Sequence, residues 1–232
     1  MTTLASTASL PTASTDDAPR RPLLPRLGGV VLLAAPVLMT GAVLTSPPAK
    51  DDSAAGYIES LAKDSTLTAL SAGLFHYAWI AIAFGALAAL TLVPARRGLA
   101  LTGVGAVASA FGAMQFSGLL FNDWFLDAAG STVPTTDAVA IFSAVTADPW
   151  VATWLLSAKV FGLLGLAVLM AGLARAGVVG WWTVPVILLP MIVSGMLGAL
   201  VGAVVGGLAG LVFWAPLALV GLRLVRRPAL PA

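Results

Sequence analysis

The sequence contains no cysteine and a single histidine, His76. The absence of cysteine excludes disulfide bonds and thiolate metal sites. One histidine excludes a bis-histidine haem and disfavours a zinc site that is built on histidines. We therefore expect neither a metal site nor a bound cofactor.

Charged residues are also scarce, at 9% of the 232 residues, whereas hydrophobic residues make up 59%. Soluble domains contain about 25% charged residues. The mean hydropathy is +0.99, and a soluble fold of this composition would have too few polar side chains to cover its surface. Several apolar runs approach the ~20 residues that cross a bilayer. The composition therefore predicts a multipass membrane protein.

Motifs for catalysis and for nucleic-acid binding are missing as well. The sequence has no GxSxG, no HExxH and no phosphate-binding GxxxxGK[ST] motif. The net charge is +2, but the basic residues form small clusters at the ends of apolar runs, which is typical of topology signals and not of a nucleic-acid surface. The sequence names no catalytic residue, favours a protein that is not an enzyme, and excludes nucleic acid as a partner.

The apolar runs predict an all-α fold, a polytopic membrane helical bundle with six transmembrane helices. We expect the spans at about residues 27–46, 67–93, 99–122, 151–174, 180–198 and 203–222. The last two lie in one apolar block that is too long for one helix, and its glycines predict a turn near the middle: Gly198, Gly202, Gly206 and Gly207. An apolar run after Arg20 and Arg21 is also typical of a cleaved signal peptide. We expect the first span to be retained, because SPPAKDD after it lacks a clean cleavage site.

Outside the spans, residues 1–26 predict a disordered cytoplasmic tail, and 223–232 a second cytoplasmic tail. Two short amphipathic helices are expected on the outer surface. The first lies within residues 50–66, where Tyr57, Ile58 and Leu61 recur at helical spacing. The second is PTTDAVAIFSAV, inside the long polar connection 122–150, with Pro134 near its first turn.

The arginines orient this arrangement. With the N-terminus inside, all nine lie on the inner side, at Arg20, Arg21, Arg26, Arg96, Arg97, Arg175, Arg223, Arg226 and Arg227. The outer side carries eight acidic residues and only two lysines, Lys50 and Lys63. Because basic residues concentrate in cytoplasmic segments, we expect both termini in the cytoplasm.

Polar residues inside spans are costly, so each is a candidate for a functional site. Lys159 and His76 each lie about nine residues from the outer end of a span, and Gln115 lies about seven residues inward of Asn122. At 1.5 Å per residue, all three are roughly 10–13 Å below the outer surface. We predict an outward-facing polar pocket between the second, third and fourth spans, with Lys159 paired to Asp123 or Asp127. The candidate binding residues are His76, Tyr77, Gln115, Asn122, Asp123, Asp127 and Lys159.

Each candidate also has a structural interpretation. Lys159 is close enough to the surface for its stem to snorkel, and His76 with Tyr77 can bond backbone carbonyls. Gln115 can form an interhelical hydrogen bond. The polar residues after the third span, from Asn122 to Asp127, can cap that helix and face water.

Two segments carry a resemblance to known proteins. YIESLAKDSTLTALSAGLFHYAW and ADPWVATWLLSAKVFGLLGL each place an outer helix before an apolar span. With this layout, residues 28–222 resemble a broad group of uncharacterised six-helix membrane proteins of high-GC bacteria. The resemblance implies the fold and a place in the bacterial plasma (inner) membrane, and it implies no activity.

Three hypotheses for the function remain. The first is a non-enzymatic protein that binds or passes a small molecule at the outer pocket. The second is a membrane-embedded enzyme acting on a lipid or isoprenoid, with His76 and an aspartate as acid and base. The third is a structural subunit that binds another membrane protein. The expected partners are thus the lipid bilayer, a small-molecule or lipid ligand, and a membrane protein.

Overall fold

The computed structural model describes residues 23–49, 51–93 and 97–227, without the side chains of 190–204, 206 and 207. Every regular element in these ranges is helical. The elements are α1 (Leu23–Thr45), α2 (Ala54–Lys63), α3 (Ser65–Ala89), α4 (Leu99–Leu119), α5 (Phe121–Thr132), α6 (Thr135–Thr146), α7 (Pro149–Lys159), α8 (Gly165–Arg175) and α9 (Thr183–Val225). A 3₁₀ turn at Leu90–Leu92 follows α3, and a π-helical turn at Val160–Leu164 joins α7 to α8.

Five helical stretches in the described part are long and apolar enough to cross a bilayer: Leu23–Thr45, Ser65–Leu92, Leu99–Thr132, Pro149–Arg175 and Leu208–Val225. This confirms the prediction of an all-helical bundle of membrane-spanning type. The number of spans and the sidedness of the termini stay predictions.

The first and last helices extend beyond the predicted span boundaries. Residues 1–22 and 228–232 lie outside the described part, but α1 begins at Leu23 and α9 continues to Val225. The C-terminal extension is helical because Leu224 is fully buried and packs on Gly29. Arg223, in the last turn of α9, also interacts favourably with the helix dipole there.

The bundle core is formed by α1, α3, α4, α8 and α9. Alanine and glycine dominate the contacts, so the helix backbones approach closely. Gly28 of α1 faces Ala88 of α3, and Gly85 of α3 faces Leu32. The largest fully buried side chains of this core are Leu32, Met39, Ile82, Leu166, Leu169, Met170, Leu173, Ile187, Leu217 and Leu224.

Helix α4 packs along α7 and α8, from Trp154 to Ala176. Gly105 meets the backbone of Leu169, and Gly112 meets the backbone of Gly162 within the π-helical turn. At a third crossing point the glycine belongs to α8, where Gly165 meets the backbone of Ser109 in α4. These contacts require residues without a side chain at the points where the backbones cross.

The arginine-bearing helix ends lie together, and we call this the arginine end. Gly98, which starts α4 with a left-handed φ of 84°, lies against Gly172, since a Cβ added to Gly98 would be 2.6 Å from the carbonyl oxygen of Gly172. Gly98 also faces Ala176, just after α8. Helix α9 begins at Thr183, eight residues after Arg175, and it finishes beside Gly29 near the start of α1. Both ends of α9 are therefore at the arginine end.

Helix α9 differs from the two separate spans that the sequence predicts. It is one helical element of 43 residues, with no loop at Gly198–Gly207. A straight helix of this length would measure about 64 Å, so α9 cannot run straight between two ends that lie on the same side of the bundle. A helical change of direction, unlike an open loop, keeps backbone hydrogen bonds satisfied in apolar surroundings.

At the opposite end, α2, α5 and α6 form a helical cap. Its small core is separate from that of the bundle and consists of Ile58, Leu61, Leu126 and Ala138. Two side chains cap the N-termini of neighbouring helices. Ser53 caps α2 by accepting a hydrogen bond from the N–H of Gly56, and Asp64 caps α3 by accepting one from the N–H of Leu67. Helices α2 and α6 occur where the sequence predicts them, and their place on a membrane surface stays a prediction.

Helix α5 corrects the predicted polar connection after Asn122. The chain turns only briefly at Leu120 and then continues as helix from Phe121 to Thr132. Leu126 is fully buried in the core of the cap, and Gly130 on the same face of α5 lies against Ile58. Burial of this apolar face stabilises the helix.

Candidate functional site

A cavity of about 500 Å³ lies between the cap, the end of α4 and the start of α7. Its volume is within the range of small-molecule sites, about 300–1,000 Å³. Most of the lining is apolar, with the aromatic side chains Phe116, Phe121, Phe125, Phe142 and Trp154. Leucine and valine complete it at Leu119, Leu120, Val145, Val151 and Leu155. The polar residues of the lining are Tyr57, Asn122, Asp123 and Thr146.

The walls are fixed by capping and by aromatic stacking. Asp148 accepts hydrogen bonds from the N–H groups of Trp150 and Val151, at 2.7 and 3.4 Å, and so sets the start of α7. On the other wall, Phe116 stacks on Trp79 with 4.4 Å between ring centroids. Trp79 in turn meets Trp214 edge-on at 5.9 Å. The cavity is thus anchored to the core of the bundle.

Tyr57 and Asp123 form the polar centre of the lining. The Tyr57 hydroxyl donates to Oδ1 of Asp123 at 2.5 Å, which joins α2 to α5. Burial, and then the neighbouring carboxylate, raise the pKa of Tyr57 far above its usual value. The hydroxyl therefore stays protonated and remains a donor. No described residue forms a hydrogen bond with the second carboxylate oxygen, Oδ2.

Asp127, one turn further along α5, has a different environment. It accepts a hydrogen bond of 2.7 Å from the hydroxyl of Ser65, at the start of α3. This contact is exposed, and Asp127 does not line the cavity. The two aspartates of α5 are therefore distinct: one belongs to the site and the other connects the cap to α3.

His76 pairs with Ser117, a residue that the sequence analysis did not select. The Ser117 hydroxyl lies 2.8 Å from Nδ1 of His76, and the Ser117 carbonyl oxygen lies 3.2 Å from the same nitrogen. Nδ1 either accepts from the hydroxyl or donates to the carbonyl, according to the tautomer. Tyr77 and Trp124 flank the imidazole at ring distances of 5.2 and 6.2 Å. The pair joins α3 to α4.

Gln115 joins α4 to α7. The hydroxyl of Ser157 donates to Oε1 of Gln115 at 2.5 Å. The amide nitrogen of Gln115 is buried and has no hydrogen-bond partner among the described residues. This geometry matches the structural interpretation of Gln115 as an interhelical hydrogen bond.

Lys159 stands apart from both aspartates of α5. Its side chain is exposed, and it has no ion pair with a residue of the described part. Ser157 faces α4, and a residue two positions later is rotated by about 200° around the helix. Lys159 therefore projects away from α4. Asp123 and Asp127 instead accept hydrogen bonds from the hydroxyl groups of Tyr57 and Ser65.

Of the seven predicted site residues, two line the cavity, Asn122 and Asp123. His76, Gln115 and Asp127 form separate hydrogen-bonded pairs, and Tyr77 is exposed. No residue of α3 is part of the lining, and the site is mostly apolar where a polar pocket was predicted. The main residue that the sequence analysis missed as a site residue is Tyr57, which it used only as part of a helical pattern.

The fold and the cavity together define a class, an all-helical bundle of membrane-spanning type with a mostly apolar cavity under a helical cap. Within the described part, no group of three His, Asp or Glu side chains is arranged to hold a metal ion. Comparison with protein-family models, with curated proteins and with solved structures gives no match. The function must therefore be inferred from the site.

Proposed function

We propose that this chain is a six-span protein of the bacterial plasma membrane that binds a small, mostly apolar molecule in the cavity beneath its cap. The cavity, with its volume of about 500 Å³ and its largely aromatic and aliphatic lining, is the observation that carries the proposal. A few polar groups within an apolar lining are typical of sites that hold and orient small ligands.

The charge distribution supports the proposed orientation. Arg97, Arg175 and Arg226 lie at the arginine end, and the acidic residues after the N-terminal segment lie in or beside the cap. Basic residues concentrate on the cytoplasmic side of membrane proteins, so the cap and the cavity belong at the outer face. The return of α9 to the arginine end supports an even number of crossings.

The mouth of the cavity favours entry from the membrane. Phe121, Phe125, Val145 and Trp154 line the cavity and are also exposed, with Phe121 at 68% of its full accessibility. Exposed apolar side chains at the end of a span are compatible with lipid and costly in water. A ligand dissolved in the outer leaflet would reach the site without crossing water.

Binding is favoured over catalysis because His76 and Ser117 lie outside the lining and the one ionisable pair in it, Tyr57 and Asp123, has no nucleophile beside it among the described residues. His76 and Ser117 bond each other outside the lining. Asp123 is held by Tyr57, and the remaining polar lining residues, Asn122 and Thr146, are neutral. This set can orient a ligand by hydrogen bonds, but it presents no activated nucleophile.

A photoreactive alkyl probe with a diazirine, applied to vesicles that contain the protein, tests the proposal. We expect labelling of residues 116–125 and 142–155, which is competed by excess unlabelled probe. Leu155→Trp fills the cavity and should lower this labelling by about tenfold, or about 1.4 kcal/mol. The matched control is Leu156→Trp, because Leu156 is 63% exposed and does not line the cavity. Equal labelling of the two variants would show that the cavity binds nothing.

A further inference from the structure

We propose that the molecule bound in the cavity is a hydrophobic cation, with its positive group against Asp123. This inference rests on the proposed binding function and specifies the chemical class of the ligand. Three independent features of the site support it: the charge of the lining, its aromatic rings, and the charge of the surrounding cap.

Among the residues that the structure describes, the lining contains one acidic side chain and no basic one. Asp123 is the only carboxylate among these lining residues, and none of them is Lys, Arg or His. Tyr57 satisfies Oδ1, which leaves Oδ2 for a donor or a positive charge that arrives with the ligand. A phosphate or carboxylate headgroup would have no cationic partner here and would face Asp123, which disfavours ordinary anionic lipids.

Aromatic rings make up a large part of the remaining lining. Six surround the cavity, namely Tyr57, Phe116, Phe121, Phe125, Phe142 and Trp154. The faces of aromatic rings attract cations, and such rings recognise alkylated ammonium groups in particular. A carboxylate beside several rings therefore suits a cation that carries apolar substituents, since the rings accommodate both the charge and the hydrocarbon.

The cap extends this preference beyond the cavity. Residues 46–66 and 122–150, which contain the cap, hold eight acidic residues and two lysines. A surface of predominantly one sign raises the local concentration of ligands of the opposite sign. Small cations are therefore favoured both in approaching the cavity and in binding inside it.

Tyr57 acts here as a positioning residue. Its hydroxyl holds Asp123 from the side of α2, so that the carboxylate is fixed before the ligand binds. A pre-positioned carboxylate loses less conformational entropy on binding than a free side chain.

Three matched probes test the inference: phenylbutyl-trimethylammonium, its neutral analogue with a tert-butyl group in place of the ammonium, and phenylpentanoate as the anion. Binding is measured by calorimetry with the full chain in phosphatidylcholine nanodiscs, because a zwitterionic bilayer adds little preference for cations. We expect the cation to bind at least about tenfold more tightly than the neutral analogue, and the anion to bind most weakly.

The variants separate the role of Asp123 from general charge effects. Asp123→Asn should weaken binding of the cation by at least about tenfold and leave the neutral analogue within about twofold. Asp127→Asn is the matched control on the same helix, because Asp127 bonds Ser65 outside the cavity, and it should leave both affinities within about twofold. Thermal unfolding of each variant verifies that it is folded.

Equal affinity for the cation and the neutral analogue would overturn the inference and leave the binding cavity in place. An equal loss in both aspartate variants would also overturn it, because the effect would then come from the overall charge of the cap. If none of the three probes binds and Leu155→Trp changes no photolabelling, the cavity proposal itself fails.

Discussion

Replacing Gly112 by alanine tests the packing that supports the cavity. A Cβ at this position would overlap the backbone of Gly162 and would lie 2.5 Å from the carbonyl carbon of Phe161, where ordinary contacts measure 3.4–4 Å. The opposing atoms are backbone atoms of the π-helical turn, which cannot rotate away as a side chain would. Helix α4 and this turn must therefore separate by about 1 Å or more.

The cost follows from that separation. A gap of about 0.5–1 Å forfeits a quarter to a half of the dispersion attraction of each facing atom pair, and overpacking of a close contact costs about 1–3 kcal/mol. Gly103→Ala is the matched control on the same helix, because nothing lies within 4 Å of its added Cβ. That change should be neutral or stabilise the protein by up to about 1 kcal/mol. The two alanine variants should therefore differ by about 1–4 kcal/mol.

Unfolding by SDS in mixed micelles measures this difference. Intrinsic tryptophan fluorescence reports on the core, because Trp79 and Trp214 lie in the aromatic stack next to the α4 contact. Gly112→Ala should unfold at a lower SDS fraction than the unmodified protein, and Gly103→Ala at the same or a higher one. If both variants unfold at the same point, the close approach of α4 to the π-helical turn is refuted.

Two further predictions address the cap and the topology. Tyr57→Phe removes the hydroxyl that satisfies a partly buried carboxylate, and it should lower the free energy of unfolding by about 1–3 kcal/mol. The control is Tyr77→Phe, at an exposed position without a described hydrogen bond, which should change the free energy of unfolding by less than about 0.5 kcal/mol. Comparable losses in the two variants would argue against the Tyr57 contact. Since the chain has no cysteine, single cysteines at Arg97, Arg226 and Asp137 can be labelled in intact cells with an impermeant maleimide. We expect labelling at position 137 alone, and labelling at either arginine position would contradict the proposed orientation.

The general fold follows from the sequence because an apolar run of about 20 residues has few stable alternatives to a membrane helix. Helix α5 was not predicted, since Asn122, Asp123 and Asp127 make its segment resemble a polar connection. Its stability comes from Leu126, which is buried against α2, some 65 positions earlier in the chain. Contacts of that kind cannot be recognised from local hydrophobic spacing.

The candidate site was predictable only in part, for a related reason. Asp123 was selected because acidic residues near a span are rare, but its partner Tyr57 lies 66 positions away, and its phenol gives no comparable signal. The predicted pairing of Lys159 relied on similar depth in the membrane. Depth fixes only one coordinate, whereas pairing also depends on the rotation of α7 around its axis, which leaves Lys159 exposed and without an ion pair in the described part. The aromatic lining had no distinctive spacing in an already apolar sequence.

The separate apolar core of the cap has a consequence for the motions of the protein. Ile58, Leu61 and Leu126 form an apolar core separate from that of the bundle, and the hydrogen bonds Ser65–Asp127 and Thr68–Leu61 connect the cap to α3. We therefore expect the cap to open as a local cooperative unit while the spans stay intact. The cavity lies between these two units, with Phe142 contributed by the cap and Phe116 by the bundle. A ligand in the cavity therefore contacts both units and holds the cap against the bundle. The amide protons of α2 and α6 should then exchange with deuterium more slowly in the ligand-bound protein than in the ligand-free protein.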